Sequence, residues 1–328
     1  MNPYIGHATQ CSGVEEHRLV GGKGDGLRLL EVTNNKGTEL TVSLDRGAGI
    51  SRLRYKGVNM NYMTPCGYVA PAYYDSHEAN WLKGFTAGFL TTCGLYNVGS
   101  ICDDEGEHLP LHGDIDYTPA EHTWWEEKDG QLHVYAEIPS EVIFDKKLVL
   151  RRHIALDLEG NSFTVTDTVE NRGDQRTPFE VLYHMNMGYP LLDEESIVRI
   201  PSCKVEPRDG EAAAHMDSWS VMEKPQAGFV ERCYFHSFEK EGIAAIWQPK
   251  LSAGLVIRFD PENLDCFTEW KIMGVRDYVL GLEHVNCLPT GRAGMRESGK
   301  LKFLDPGESK TYSFRVELFD DAKVLESL

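Results

Sequence analysis

The sequence has no Cys-x-x-Cys pair and no basic cluster larger than Arg151-Arg152. It also has no apolar run near the roughly 18 residues of a membrane span. Each absence excludes a class. The eight cysteines, at 11, 66, 93, 102, 203, 233, 266 and 287, are scattered, and the spacing of a thiolate metal site is missing. The start, Met1-Asn-Pro-Tyr-Ile-Gly-His7, lacks the basic and then apolar pattern of a secretory leader. Reduced thiols in a cytoplasmic protein are therefore expected. A net charge of −18 with no basic patch argues against nucleic acid, whose phosphates need clustered Lys and Arg. No membrane partner is expected either.

Helical periodicity is also scarce. The best helical stretch, Ser76–Lys83, amounts to a turn or two. The glycine-rich run Gly21–Gly26 lacks both a following helix and a Gly-Lys-Ser/Thr ending, so it is read as a turn and not as a phosphate loop.

What the chain does have is strands. Leu27–Val32, Glu39–Leu44, Ile50–Tyr55, Gln131–Ile138, Lys147–Leu156, Ser162–Glu170, Gly242–Gln248, Gly254–Phe259, Cys266–Met273, Tyr278–Cys287 and Thr311–Phe319 all carry strand character. In Ser162–Glu170, for example, Phe163, Val165 and Val169 alternate with Thr164, Thr166 and Thr168. Gly, Asn, Asp and Pro separate the runs. The pattern predicts an all-β, largely antiparallel sandwich with few short helices. A single domain over 1–328 is expected, with 1–26 as a turn-rich extension. Gly84–Pro119 has less periodicity and reads as irregular loops, where sites tend to sit.

One strand combines core with chemistry. In Phe179–Met187, Phe179, Val181, Tyr183, Met185 and Met187 fall on one face, and Glu180, Leu182, His184 and Asn186 on the other. His184 is either a satisfied interior histidine or part of a polar surface with Asn186. Glu283, in the apolar run Tyr278–Cys287, is costly to bury unless paired or functional; burial also raises a carboxyl toward a useful general base. His284 points the opposite way and reads as structural. His112, in Leu111-His-Gly-Asp-Ile115, is a locally bonded loop residue, a ligand contact, or one end of a weak His-x-Asp-x-Asp metal pattern. Trp270 is either core or a stacking platform for a sugar ring. Trp124 and Trp125 are read as core or rim, and Glu121 as a ligand contact or a solvated charge.

Taken together, these segments resemble the aldose 1-epimerase (galactose mutarotase) superfamily, and more narrowly its DUF4432 branch. The resemblance rests on Leu44-Asp-Arg-Gly-Ala-Gly-Ile50, Thr91-Thr-Cys-Gly-Leu95, Leu111–Glu121, Tyr183–Leu192 and Gly281-Leu-Glu283, and runs from about residue 25 to the C-terminus. It implies a galactose mutarotase-like β-supersandwich and interconversion of sugar anomers without cofactor or metal. His184 would be the acid to the ring oxygen, Glu283 the base to the anomeric hydroxyl, and His112 the sugar-holding histidine. Asp114, Asn186, Trp270 and Arg46 would select the sugar, with Asp45 beside Arg46; the partner would be a monosaccharide or a derivative. An Arg at 46 would suit an acidic or phosphorylated sugar. The motifs depart from the galactose enzymes. His-Gly-Asp replaces His-Gly-Gly, Tyr-Phe-Asn is missing after His184, and no Pro-Gln follows Glu283, so the sugar stays open. Two other classes stand beside this reading. One is a non-catalytic carbohydrate-binding sandwich. The other is a lyase or hydrolase on sugar polymers, for which Glu180 or Glu269 would partner Glu283.

Overall fold

Two antiparallel sheets face each other across one apolar layer in the computed structural model, which describes residues 3–328. The larger has eleven strands. Its order is Gly13–Arg18, Arg28–Thr33, Thr38–Ser43, Gly49–Tyr55, Leu90–Leu95, Glu180–Met187, Tyr278–Val285, Cys266–Met273, Arg232–Ser237 and Lys204–Pro207, with Val58–Asn59 paired beside Gly49–Tyr55. The second has eight strands, ordered Ile197–Arg199, Gly242–Gln248, Ala253–Phe259, Ser309–Phe319, Ser162–Asn171, Lys147–Asp157, Gln131–Glu141 and His122–Lys128. Phe163, Val165 and Val169 enter the shared core while the intervening threonines are partly exposed, as alternation requires.

Where the expectation failed, the physical reason is visible. Residues 1–26 are not all turn. Gly13–Arg18 is an edge strand on Arg28–Thr33, and the glycine-rich run is the turn between them. Ser76–Lys83 is not a helix; a 3-10 turn covers Asn80–Gly84. Leu90–Leu95 is a strand inside the stretch read as irregular. It is buried along its whole length, so it shows no polar alternation. Glu180–Met187 does alternate, yet it too is buried throughout, with both of its faces covered. Phe179, Val181, Tyr183, Met185 and Met187 join the inter-sheet core, whereas Leu182 packs into a second apolar cluster with Trp81, Phe85 and Tyr117. Residues from the 60–120 region thus roof the outer face of the large sheet.

A buried ion pair ties the sheets together. Arg152, on the small sheet, donates to Asp167 at 2.6 and 2.9 Å, to Thr92 Oγ1 at 2.7 Å, and to the Gly47 and Ala48 carbonyls at 3.2 Å. Both partners are essentially excluded from solvent. Arg152→Met is expected to cost about 3–5 kcal/mol in urea unfolding, because it strands the Asp167 charge. A cost below about 1 kcal/mol would show that Asp167 is satisfied without it.

Candidate functional site

His184 and Glu283 meet on the roofed face. The register pairs Tyr183 with His284 and Asn186 with Gly281, which sets His184 beside Glu283 across two adjacent strands. His184 Nε2 lies 3.2 Å from Glu283 Oε1. Gly281 makes the room, since a Cβ there would stand 2.7 Å from Glu283 Oε1 and 3.1 Å from the Trp270 Cβ. The Gly-Leu-Glu spacing is therefore a packing requirement of the carboxyl itself.

His112 comes from the roof. It has φ 59° and Gly113 has φ 72°, so the chain reverses sharply there. A Cβ at 113 would lie 2.5 Å from the Gly94 carbonyl oxygen, which leaves glycine as the residue that fits. The turn is anchored by His112 N–H donating to Gly99 O and Gly94 N–H donating to His112 O. Gly99 N–H donates to His112 Nδ1 at 3.3 Å, so Nδ1 accepts and Nε2 carries the ring hydrogen. The His112 and His184 rings are 6.1 Å apart, and Trp270 meets His184 edge-on at 5.1 Å.

These four side chains line a cavity of about 310 Å³, with Trp81 and Phe85 on its apolar side and Arg208 and Glu231 on its polar side. That is near the lower end for small-ligand sites, roughly 300–1,000 Å³. A larger cavity of about 790 Å³ lies elsewhere, between Phe144, Lys147 and Arg172, and contains no such acid–base pair. The His184–Glu283 pair lines the smaller cavity.

Burial dominates the electrostatics. It pushes Glu283 well above the ordinary carboxyl range; Glu231 adds to the shift and Arg208 opposes it. Burial lowers His184 to about 3; His112 lowers it further and Asn186 opposes. His112 falls to about 4, again through burial, with Glu231 opposing. Burial thus favours the neutral form of all three groups, both imidazoles and the Glu283 carboxyl. The 3.2 Å His184–Glu283 approach is not a hydrogen bond, and Glu283 Oε1 is buried without a hydrogen-bond partner among the described residues.

Of the residues expected at the site, the structure brings His112, His184, Glu283 and Trp270 together around one cavity and leaves three others out of it. Asn186 turns its amide into the backbone, donating to Gly88 O and His184 O, and does not line the cavity. Asp114 is held by Lys146 at 2.8 Å and Ser140 at 3.2 Å, because the left-handed turn at His112-Gly113 swings it away. Arg46 is a buried structural cation. It is paired with Asp116, lies 4.1 Å over the Tyr117 ring and is bonded to the Val69 carbonyl. Asp45 is taken up by Arg28. The three members of the His-x-Asp-x-Asp pattern therefore diverge. Glu121 is exposed, and Trp124 and Trp125 are exposed on an edge strand. Neither suggested second carboxylate shares the cavity. Glu180 accepts from Val98 N–H and is pushed up to about 7 by burial. Glu269 faces His236 at 3.2 Å, away from the cavity.

Arg208 and Glu231 were missed. Arg208 donates to Glu231 at 2.8 Å, Asp209 at 2.9 Å and Cys233 Sγ at 2.9 Å, and Trp270 Nε1–H donates to the other Glu231 oxygen at 2.9 Å. The signal was spatial. Cys233 pairs with Trp270 across adjacent strands, which draws the preceding Glu231 to the indole.

The profile of the family described as a domain of unknown function, DUF4432, matches residues 24–318. Among solved structures, a candidate aldose 1-epimerase from Klebsiella pneumoniae superposes with a TM-score of 0.89 at 22% identity, over 97% of this chain and 90% of that one. A galactose mutarotase-like protein from Clostridium acetobutylicum gives 0.68 at 13% identity, over 94% and 99%. A candidate aldose 1-epimerase from Escherichia coli gives 0.59 at 15% identity, over 93% and 99%. No curated protein matches. At these identities the likeness establishes the fold, a galactose mutarotase-like β-sandwich. Among the described residues, no helix is long and apolar enough to cross a membrane.

Proposed function

Because the chain belongs to the DUF4432 family and has a galactose mutarotase-like fold, we propose that it is an aldose 1-epimerase acting on an uncharged sugar. The observation that carries this reading is the 3.2 Å contact between His184 and Glu283 at the wall of a small cavity that also holds His112.

Anomer exchange needs one proton removed from the C1 hydroxyl and one delivered to the ring oxygen. Both oxygens are bonded to the same carbon, so an adjacent acid and base suffice. The pair holds one proton. With it on His184, the Glu283 carboxylate takes the hydroxyl proton while His184 Nε2–H protonates the ring oxygen. The C1–O bond to the ring breaks and C1 becomes a carbonyl. Rotation about C1–C2 and reversal of both transfers gives the other anomer. With the proton on Glu283 the two roles exchange and the balance is unchanged, so the rate is expected to be flat through neutral pH. His112, with its hydrogen on Nε2, is a donor to a sugar oxygen. Trp270 and Phe85 offer ring surface to the C–H faces of a sugar.

Asn186 becomes a positioning residue in this reading. Its Oδ1 and the Nδ1 of His184 are both buried without a hydrogen-bond partner, and they share one face of the strand. The amide opposes the lowering of the His184 pKa, and a small approach of its oxygen to an Nδ1 hydrogen would leave Nε2 turned to Glu283.

The charge of the wall sets the substrate class. Among the described residues Arg208 is the one Lys or Arg lining the cavity, and Glu231 and Asp209 already meet its charge. A sugar phosphate or acid would find no free counter-charge. In exchange NMR of anomeric protons, catalytic enzyme is expected to accelerate at least one neutral hexose or pentose, and its phosphate ester at least roughly tenfold less. Binding of a neutral sugar with no acceleration of any would instead mark a carbohydrate-binding protein.

A further inference from the structure

Most arginines of this acidic chain hold a carboxylate within ion-pair distance, as Arg28, Arg152, Arg232 and Arg292 do. Among the described residues Arg18, Arg199, Arg52, Arg54 and Arg276 hold none, although the protein carries a net charge of −18, and the last three stand together. All three line a single cavity of about 480 Å³, separate from the His184–Glu283 cavity. Its wall contains no acidic side chain and includes Tyr62, Tyr189 and Tyr278.

The backbone sets the cations in place from two directions. Arg52 and Arg54 are alternate, outward residues of Gly49–Tyr55, so their side chains leave the same face of the sheet. Arg276 projects from the tight turn between Cys266–Met273 and Tyr278–Val285, where it has φ 70°. That turn is closed by Gly274 N–H donating to Asp277 O and is tied down by Tyr62 Oη–H donating to Arg276 O at 2.9 Å. Glu39 stands across from Arg54 on the neighbouring strand without forming an ion pair, and Asp277 faces the Tyr62 hydroxyl at 3.4 Å; neither lines the cavity. Three guanidinium groups thus line one cavity whose wall, among the described residues, carries no carboxylate. Their planar forks match the oxygens of a phosphoryl group.

We propose that this cavity binds a phosphorylated small molecule carrying a ring, with Arg52, Arg54 and Arg276 on the phosphoryl oxygens and the exposed Tyr189 against the ring. The site adjoins the catalytic strand's end. Asn61 bridges to Met187, and Tyr62 N–H donates to Asn186 O at 3.0 Å. It is independent of the proposed epimerase reading, because none of its residues lines the His184 cavity.

The test is calorimetric titration of the intact protein with phenyl phosphate, inorganic phosphate and phenol. Saturable binding of phenyl phosphate is expected, roughly threefold to tenfold tighter than inorganic phosphate from ring contact, with no binding of phenol in the same range. The double variant Arg54→Ser, Arg276→Ser is expected to weaken phenyl phosphate roughly tenfold or more while leaving anomer exchange unchanged. Both positions are exposed, and an unaltered circular dichroism melt will show that the variant folds. Absence of saturable binding at millimolar phenyl phosphate would overturn the proposal. So would equal binding by the folded double variant, or equal affinity for phenol.

Discussion

Glu283→Gln is expected to lower anomer exchange by roughly 10²–10⁴-fold and, at the same time, to stabilise the fold at neutral pH. The two effects have one cause. Glu283 is buried and its carboxyl is held well above its ordinary range, chiefly by burial and then by Glu231. The native state therefore keeps a proton that the unfolded chain gives up near about pH 4.3. Where the native state binds more protons, stability falls as pH rises, and the loss accumulates from the unfolded value up to the folded one. Gln has the same shape and no proton to lose, so the stability gain of the variant should grow from about pH 4.3 upward. Activity falls because His184 then stands alone: one transfer retains a partner and the other has none. Melting curves at several pH values, together with exchange NMR on the sugar that the wild type accelerates, read both effects. Retained exchange would remove Glu283 from the chemistry. A stability difference that does not change with pH would mean that Glu283 is ionised in the fold.

That opposition of stability and activity was half legible beforehand. A carboxyl in the apolar run Tyr278–Cys287 stood out from the sequence, and it lies buried against His184. Alternation located most strands, because most have one face on the core and one toward water. It failed at Leu90–Leu95, buried on both faces, and it could not foresee that Glu180–Met187 would be roofed. Proximity in sequence misled in a different way. Asp114 lies two residues from His112, yet the left-handed turn between them sends it to Lys146. Asn186 shares the His184 face, but its amide is spent on backbone carbonyls. Arg208 and Glu231 left no local trace, since only the pairing of Cys233 with Trp270 brings that segment to the cavity.

His284→Phe is expected to protect the protein against acid. His284 faces the opposite side from Glu283, between Tyr183 at 5.1 Å, Phe259 at 5.2 Å and Phe314 at 4.3 Å. Neither ring nitrogen has a hydrogen-bond partner, and burial lowers its pKa to about 3. The native state keeps this ring neutral where the unfolded chain protonates it, below about pH 6.5. Stability is therefore lost as pH falls from the unfolded value toward the folded one, at about 1.4 kcal/mol per pH unit for each such histidine. His112 and His184 behave in the same way, with folded values of about 4 and about 3. Replacing His284 should remove its own share of that acid slope and leave the others in place. Between pH 6.5 and 4.5 the gain of the variant should grow by roughly 2–3 kcal/mol. Phe also frees two buried nitrogens from lost hydration, a gain of about 1–3 kcal/mol. Its larger ring costs a similar amount in overpacking. Those two contributions do not depend on pH, so the change in the urea-unfolding free energy difference between the two pH values isolates the titration. A difference that stays constant with pH would show that His284 is not held neutral by the core, and the aromatic cage around it would then need a compensating acceptor.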